Sequence, residues 1–213
     1  MIFRLENLLP EPLEDTDISS SQVWSKSLIL TPGECIRLQA ASGKGKTTLI
    51  HILYGRRKDY SGYVQLGEER LDSFNAGKWA LLRQKYLSIV FQELMLFSEL
   101  TGWQNISLKN HLTRYYNNDR IHDMAKRMNA QHLLEKRCGI MSFGERQRIA
   151  IIRSLVQPFS WLLLDEPFSH LDEENSRIAT TLITEECKMR NAGILITTLD
   201  EDDFFNYDKT VIV

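Results

Sequence analysis

A run of small and cationic residues, AASGKGKTT, occupies positions 40–48. Its glycines would let successive backbone N–H groups converge on an anion, and the helix expected to follow would add the positive end of its dipole. Lys46 would reach the outer phosphates of a nucleotide, and the Thr47 hydroxyl would hold Mg²⁺. The alternative is a polar turn with two lysines. The predicted phosphate-binding residues are Ser42, Gly43, Lys44, Gly45, Lys46, Thr47 and Thr48.

The loop begins with Ala40, where a phosphate loop of this kind has glycine. Alanine keeps the turn if its φ is negative. If the loop requires a positive φ there, alanine costs about 1 kcal/mol or more. The substitution therefore raises a question of backbone strain and does not by itself abolish binding.

A second group able to do chemistry is the pair Asp165 and Glu166, which ends the apolar run WLLL. In phosphoryl-transfer sites an aspartate at the end of a strand steadies Mg²⁺, and a neighbouring carboxylate can orient or deprotonate the attacking water. An acidic turn after a strand is the simpler alternative. Because the phosphate loop is also present, a joint nucleotide site is favoured.

The elements that must position these residues alternate between buried strands and helices. Strands are expected in SLIL, ECIRLQA, LSIVF, WLLLDE, GILITT and KTVIV, and SGYVQLGEERL alternates like an edge hairpin. Helices are expected in TTLIHILYG, in GKWALLRQKY and over 173–190. This order predicts an α/β protein with a parallel core. The helical block between LSIVF and WLLLDE is too long for a simple crossover, so we expect it to form a subdomain.

Composition narrows the class of protein. The chain has 213 residues, of which 43% are hydrophobic, and a net charge of −2, so nothing suggests a nucleic-acid partner. Its three cysteines form no CxxC pair, which favours a reducing compartment over disulfides or zinc. The acidic, proline-broken start is not a signal peptide, and no apolar run approaches the roughly 18 residues that a membrane span needs.

Between the two chemical groups lies MSFGERQRIAIIRSL, positions 141–155. It resembles the signature LSGGQ or LSGGE, followed by xQR, of the ATPase subunits of ATP-binding-cassette (ABC) transporters. Gln92 in IVFQE matches that family's glutamine at the junction with the helical subdomain, and residues 169–172, SHLD, match its loop ending in LD. Four motifs in the family's order cover nearly the whole chain.

The text after the glutamine, QELMLFSELTGWQNISL, resembles one branch of the family. That branch comprises the lipoprotein-release, macrolide-export and cell-division ATPases. Its pattern is matched by Leu96, Leu100, Thr101 and Asn105.

The resemblance implies a P-loop NTPase core with a parallel sheet, an N-terminal antiparallel β-subdomain and an inserted α-helical subdomain. It implies one domain over 1–213, with 1–91 and 157–213 as the core and 92–156 as the helical subdomain. Such domains bind ATP and Mg²⁺ as head-to-tail dimers, with each nucleotide held between the phosphate loop of one subunit and the signature of the other. The signature residues implied are Ser142, Gly144 and Glu145.

The same resemblance gives Glu166 and Gln92 catalytic roles, and makes Thr47, Asp165 and Gln92 the metal-binding set. It implies a second ATPase subunit and a membrane-spanning permease as partners. It also implies a cytoplasmic location on the inner face of the membrane. A groove beside Gln92 would receive a helix of the permease.

Besides Ala40, two positions depart from the family pattern, and an expected aromatic residue is missing. Phe143 replaces the first signature glycine, and its ring either crowds the partner's nucleotide or packs aside. Leu199 stands where the family has a histidine that contacts the γ-phosphate, and leucine cannot donate a hydrogen bond, so hydrolysis is expected to be slow or to depend on a partner. No aromatic residue lies between Phe3 and Trp24 to stack on adenine; Trp24 is a stand-in or, more simply, a core residue.

Three other classes of protein are alternatives. A P-loop kinase or GTPase leaves the signature segment unexplained. A cassette acting on DNA or ribosomes usually needs two cassettes or a long coiled coil. A regulatory relative that binds nucleotide with little turnover is the remaining alternative, and ATP turnover separates it from an ATPase.

Overall fold

The computed structural model describes residues 1–14, 16–41, 43–198 and 204–213. Its strands are β1 (Phe3–Pro10), β2 (Ser27–Leu30), β3 (Cys35–Gln39), β4 (Tyr60–Leu66), β5 (Glu69–Arg70), β6 (Leu87–Val90), β7 (Trp161–Asp165), β8 (Gly193–Thr197) and β9 (Lys209–Ile212). Its α-helices are α1 (Lys46–Leu53), α2 (Ala76–Lys85), α3 (Gly102–His111), α4 (Asn118–Arg127), α5 (Phe143–Leu155) and α6 (Glu173–Arg190).

One sheet is parallel throughout, with strand order β6-β7-β8-β3-β9. Every residue of β6, β7 and β8 is buried. This explains why those strands are nearly continuous apolar runs rather than alternating ones. The register pairs Asp165 with Thr197, so both side chains stand at the carboxyl edge of the sheet. The predicted parallel core is confirmed.

The other sheet is antiparallel, with order β2-β1-β4-β5. Burial alternates along β2, as expected for a sheet with one face on the core. The predicted hairpin is present, since Gly67 turns β4 into β5 with a φ of 69°. SLIL and ECIRLQA, although adjacent in the chain, enter different sheets as β2 and β3.

The helices α3, α4 and α5 follow β6 and share a core that includes Ile106, Met124 and Ile149. The buried carboxylate of Glu186, a residue of α6, connects α6 to these helices. Glu186 is fully buried and accepts hydrogen bonds from Tyr116 and Arg120, at 2.7 Å each, and from Arg190. Among the described residues, no helix is both long and apolar enough to cross a membrane.

Candidate functional site

The phosphate loop connects β3 to α1, and its glycines are required by geometry. Gly45 caps α1 in a left-handed conformation with a φ of 99°. A Cβ atom there would lie 2.8 Å from side-chain carbons of both Leu13 and Trp24. Gly43 also has a positive φ, of 79°, and no atom lies within 4 Å of the position that its Cβ would take. Core side chains therefore pack tightly against the loop at Gly45, whereas the space beside Gly43 is open.

Ala40 starts the loop without backbone strain. The non-glycine residues with positive φ in the described chain do not include Ala40, so the conformation there suits any L-amino acid. Its carbonyl accepts a hydrogen bond of 2.5 Å from Lys46 Nζ. Lys46 is itself only 8% exposed. The ammonium group is therefore held inside the curve of the loop.

Trp24 supports the loop from below. It is 1% exposed, and its indole Nε1 donates to the carbonyl of Lys44 over 3.1 Å. Trp24 is therefore a core residue, as the simpler alternative held, and its ring is not available to stack on a base.

The strand-end acid Asp165 lies next to the loop. Its Oδ1 atom accepts hydrogen bonds from Thr47 Oγ1, at 3.1 Å, and from Thr197 Oγ1, at 2.8 Å. Its Oδ2 atom is buried and has no hydrogen-bond partner among the described residues. Burial raises the pKa of this carboxyl, and the two threonine hydroxyls oppose the rise.

These donors fit Mg²⁺. A buried carboxylate oxygen without a partner is unfavourable alone. It becomes satisfied if a hard cation binds to it, and carboxylate and hydroxyl oxygens are ligands of the kind that Mg²⁺ takes. Thr47 can keep donating its proton to Asp165 while a lone pair of its oxygen faces the ion.

Glu166 follows in a left-handed conformation, with a φ of 50°. Its backbone N–H donates to Thr197 Oγ1 over 3.0 Å, and its carboxylate accepts from Gln92 Nε2 over 3.1 Å. Burial first, and then the negative charge of Asp165, raise the pKa of Glu166. A raised pKa makes this carboxylate a stronger base than an exposed glutamate.

A cleft of about 230 Å³ joins the loop to Gln92 and Glu166. Its lining residues are Ala41, Gly43, Lys44, Gly45, Lys46, Thr47, Thr48, Gln92 and Glu166. A second cleft of about 270 Å³ adjoins it at Thr47 and Gln92 and includes His51 and Asp165. The structure thus brings the predicted phosphate, metal and catalytic residues together.

The signature residues lie elsewhere, since none of them lines either cleft. Ser142 caps α5 in a reciprocal pair with Glu145. The Ser142 hydroxyl accepts from the Glu145 N–H, and the Glu145 carboxylate accepts from the Ser142 N–H at 2.9 Å. Lys136 also donates to Glu145, over 2.7 Å. Glu145 therefore fixes the start of α5, and the Ser142 O–H proton has no acceptor among the described residues.

The ring of Phe143 packs aside onto its own chain. Its centroid lies 4.0 Å from that of His170 and 5.0 Å from the guanidinium carbon of Arg146. Gly144 packs as closely, because a Cβ atom there would lie 2.6 Å from the carbonyl oxygen of His170.

Two residues that hold the site together were not predicted. The Thr197 hydroxyl donates to the Asp165 carboxylate and accepts a hydrogen bond from the Glu166 N–H. Gln147 is 1% exposed; its side chain donates to the carbonyl of Glu166 and accepts from the N–H of His170, both over 3.2 Å. Gln147 thereby connects the signature helix to the acid pair. Ser42 and Leu199, which carried two of the predictions, lie outside the described residues.

A glycine loop between a parallel strand and a helix, with an acid pair at the end of another strand of the same sheet, defines a P-loop nucleotide-binding domain. A family model described as "ABC transporter" matches residues 25–169. The chain belongs to this family.

Curated relatives span most of the chain. It is 33% identical over 179 residues to the "Lipoprotein-releasing system ATP-binding protein LolD" of Acinetobacter baylyi, covering 82% of this chain and 78% of that one. The protein of the same name from Psychrobacter arcticus is 31% identical over 189 residues, covering 87% and 84%. The resemblance to the lipoprotein-release branch is confirmed. The chain is an ATP-binding subunit and an ATPase of this family, and a regulatory role without turnover is not favoured.

Solved structures agree on the fold. One is titled "Dimeric Structure of MJ0796, a Bacterial ABC Transporter Cassette" and aligns with a TM-score of 0.77 at 20% identity, over 94% of this chain and 88% of that one. Another, a post-hydrolysis state of the same cassette bound to ADP and Pi, aligns equally well at 19% identity. The predicted fold class is confirmed.

Proposed function

We propose that this chain binds Mg-ATP between two subunits and hydrolyses it to drive a membrane permease. One observation supports this most directly: the two adjoining clefts bring together the buried Lys46, a buried oxygen of Asp165 that has no partner among the described residues, and Glu166, whose pKa is raised. Lys46 holds the outer phosphates, while Thr47 and Asp165 would hold the metal ion. When bound, Mg²⁺ would supply positive charge that stabilises the transferred phosphate.

Glu166 acts as the base in this proposal. A water oxygen bonds to the γ-phosphorus, the bond from that phosphorus to the β-phosphate oxygen breaks, and the water proton passes to Glu166. Gln92, which donates to the same carboxylate, holds Glu166 in place, and its amide oxygen would be a ligand for the metal.

The second half of each site comes from another subunit. Ser142 and the N-terminus of α5 offer hydrogen-bond donors to a phosphate. Within one chain, however, they do not line the cleft. A head-to-tail pair, made of two copies or of this chain and a relative, brings each signature to the other loop. The dimeric cassette among the similar structures supports this arrangement.

The experiment that tests this function is ATP turnover by the purified chain at several protein concentrations. We expect turnover to require Mg²⁺ and to rise more steeply than linearly with concentration, because a complete site forms only in the dimer. Addition of EDTA is the control. Turnover strictly proportional to protein concentration, from dilute to concentrated samples of a chain shown to be monomeric, would contradict the shared site.

A groove next to Gln92 is the proposed contact with the permease. It has a volume of about 260 Å³, and its rim carries four apolar side chains that are 40–61% exposed. These are Met95, Phe97, Leu108 and Leu112. Its charged lining residues, Lys109 and Arg153, are both cations. Burial, and then the nearby Arg153 and Arg83, lower the pKa of Lys109 to about 8. A partner helix with an apolar face and a carboxylate fits this lining.

The groove is connected to the nucleotide site through Arg153. Its guanidinium donates to the carbonyl oxygens of Leu94 and Met95, at 2.5 and 2.6 Å. Both of these residues have positive φ and follow Gln92 closely in the chain. A movement of Gln92 would therefore be passed to the groove through only three residues of the chain. The likeness to lipoprotein-releasing ATPases supports a permease of that branch and a position on the inner face of the membrane.

Replacing Phe97 with Asp should abolish binding to the membrane fraction of the source cells while leaving the turnover of the isolated chain close to wild type. The reason is that an acid on the rim disrupts an apolar contact without reaching the phosphate cleft. Ile29→Asp, an exposed apolar residue of β2, is the matched control and should keep membrane binding. Equal sedimentation of both variants with membranes would place the contact elsewhere.

A further inference from the structure

His170 is a histidine in the segment between the acid pair and α6, and the proposed chemistry has not used it. It is exposed. Its ring lies against Phe143, the first residue of α5. The backbone of His170 also contacts α5, because its N–H donates to the Gln147 side chain and its carbonyl lies against Gly144. His170 is therefore part of the surface around the N-terminus of α5.

The ring orientation is set by a short chain of hydrogen bonds. Ser169 Oγ lies 3.2 Å from the carbonyl oxygen of Glu166 and 2.9 Å from His170 Nδ1. The Ser169 hydroxyl has one proton, so either it donates to Nδ1 and the neutral imidazole carries its own proton on Nε2, or it donates to the carbonyl and Nδ1 donates to Ser169. Nε2 has no hydrogen-bond partner among the described residues. In the first arrangement the neutral ring has an Nε2–H that can donate to an anion, and the imidazolium has one in either arrangement.

The geometry points to His170 as a catalytic residue that acts across the dimer: its Nε2–H donates to the γ-phosphate of the ATP bound at the partner subunit's phosphate loop. This rests on the proposed shared site, because α5 reaches a nucleotide only in the partner. Two sequence departures then have one explanation. Phe143 replaces a glycine because its ring supports the imidazole, and Leu199, which has no donor, is compensated by a histidine elsewhere.

The first test is His170→Ala in the full chain. Turnover should fall by about 10²–10³-fold, the usual loss when one donor to a developing negative charge is removed. ATP affinity should change little, since Lys46 and the cleft are untouched. His132→Ala removes another exposed histidine and should have no effect. Unchanged turnover in His170→Ala would overturn the inference.

An experiment with mixed dimers of two variants decides whether His170 acts across the dimer interface. His170→Ala and Glu166→Gln should each be slow alone. A mixed dimer of the two has one site with both Glu166 and the partner's His170 intact, so turnover of the mixture should rise well above that of either variant. A misfolded variant could not complement in this way. If the mixture stays as slow as its components, His170 does not act in the partner's site.

The two proposals fail in different ways. If the wild-type chain shows no Mg²⁺-dependent turnover, the proposed ATPase site fails. If the wild type hydrolyses ATP and the mixture shows no complementation, the shared site can stand and only the role of His170 is lost.

Discussion

Replacing Glu166 with Gln should lower ATP turnover by about 10²–10⁴-fold, the range that a positioned general base contributes, while ATP still binds. The amide has the same shape, so the contact with Gln92 survives, but an amide cannot accept the proton of the attacking water. The raised pKa of Glu166, caused by burial and then by Asp165, makes the wild-type carboxylate a better acceptor. Its replacement should therefore affect the chemical step and not binding.

Turnover and equilibrium binding of ATP, measured on the same preparations, separate these two effects. Glu173→Gln is the matched control, because it removes the same charge from a side chain that is 73% exposed in the first turn of α6. The slow variant should also accumulate as a dimer in Mg-ATP, which size-exclusion chromatography with light scattering would detect. A Glu166→Gln protein that retains wild-type turnover would remove Glu166 from the role of base.

The sequence predicted the elements well, because their patterns are local. Continuous apolar runs identified β7 and β8 as strands buried on both faces. The strand order could not be predicted in the same way. β2 and β3 are separated by a short turn at Gly33, yet they join different sheets. Their partners are chosen by packing between segments far apart in the chain, and no local pattern encodes that choice.

The candidate site shows the same division. Each predicted group was recognisable from a local sequence pattern, such as glycines near lysines or acids after an apolar run. Thr197 and Gln147 did not, because their roles arise from contacts with residues 31 and 19 positions away. One signal was available: a threonine at the end of a buried run could have been suspected of facing another strand-end residue. The capping pair of Ser142 and Glu145 was also readable as the S-x-x-E pattern of a helix start.

Replacing Lys46 with Ala should weaken ATP binding by about 10- to 100-fold, from the roughly 1.5–3 kcal/mol of a hydrogen bond to a charged group. Lys46 is nearly buried and forms no ion pair within the described residues; its ammonium donates to the carbonyl of Ala40. Burial raises the pKa values of Asp165 and Glu166, and the charge of Lys46 acts on both carboxyls to oppose that rise. A buried ammonium without a direct ion pair is nevertheless unfavourable, and a phosphate would supply that pair. Turnover should fall further than affinity, since the same ammonium stabilises charge that develops on the transferred group.

Lys78→Ala provides the control for this experiment, because it removes a lysine whose ammonium pairs with Glu69 at the surface of the antiparallel sheet, 2.7 Å apart. Both variants lose one positive charge, so a difference between them cannot come from net charge. Titration with a fluorescent ATP analogue gives the affinity of each. Because Lys46 forms no ion pair within the described residues, Lys46→Ala should also unfold no more readily than wild type without nucleotide, and it should gain less thermal stability when Mg-ATP is added. Full nucleotide affinity in Lys46→Ala would show that the loop formed by β3 and α1 is not the phosphate site.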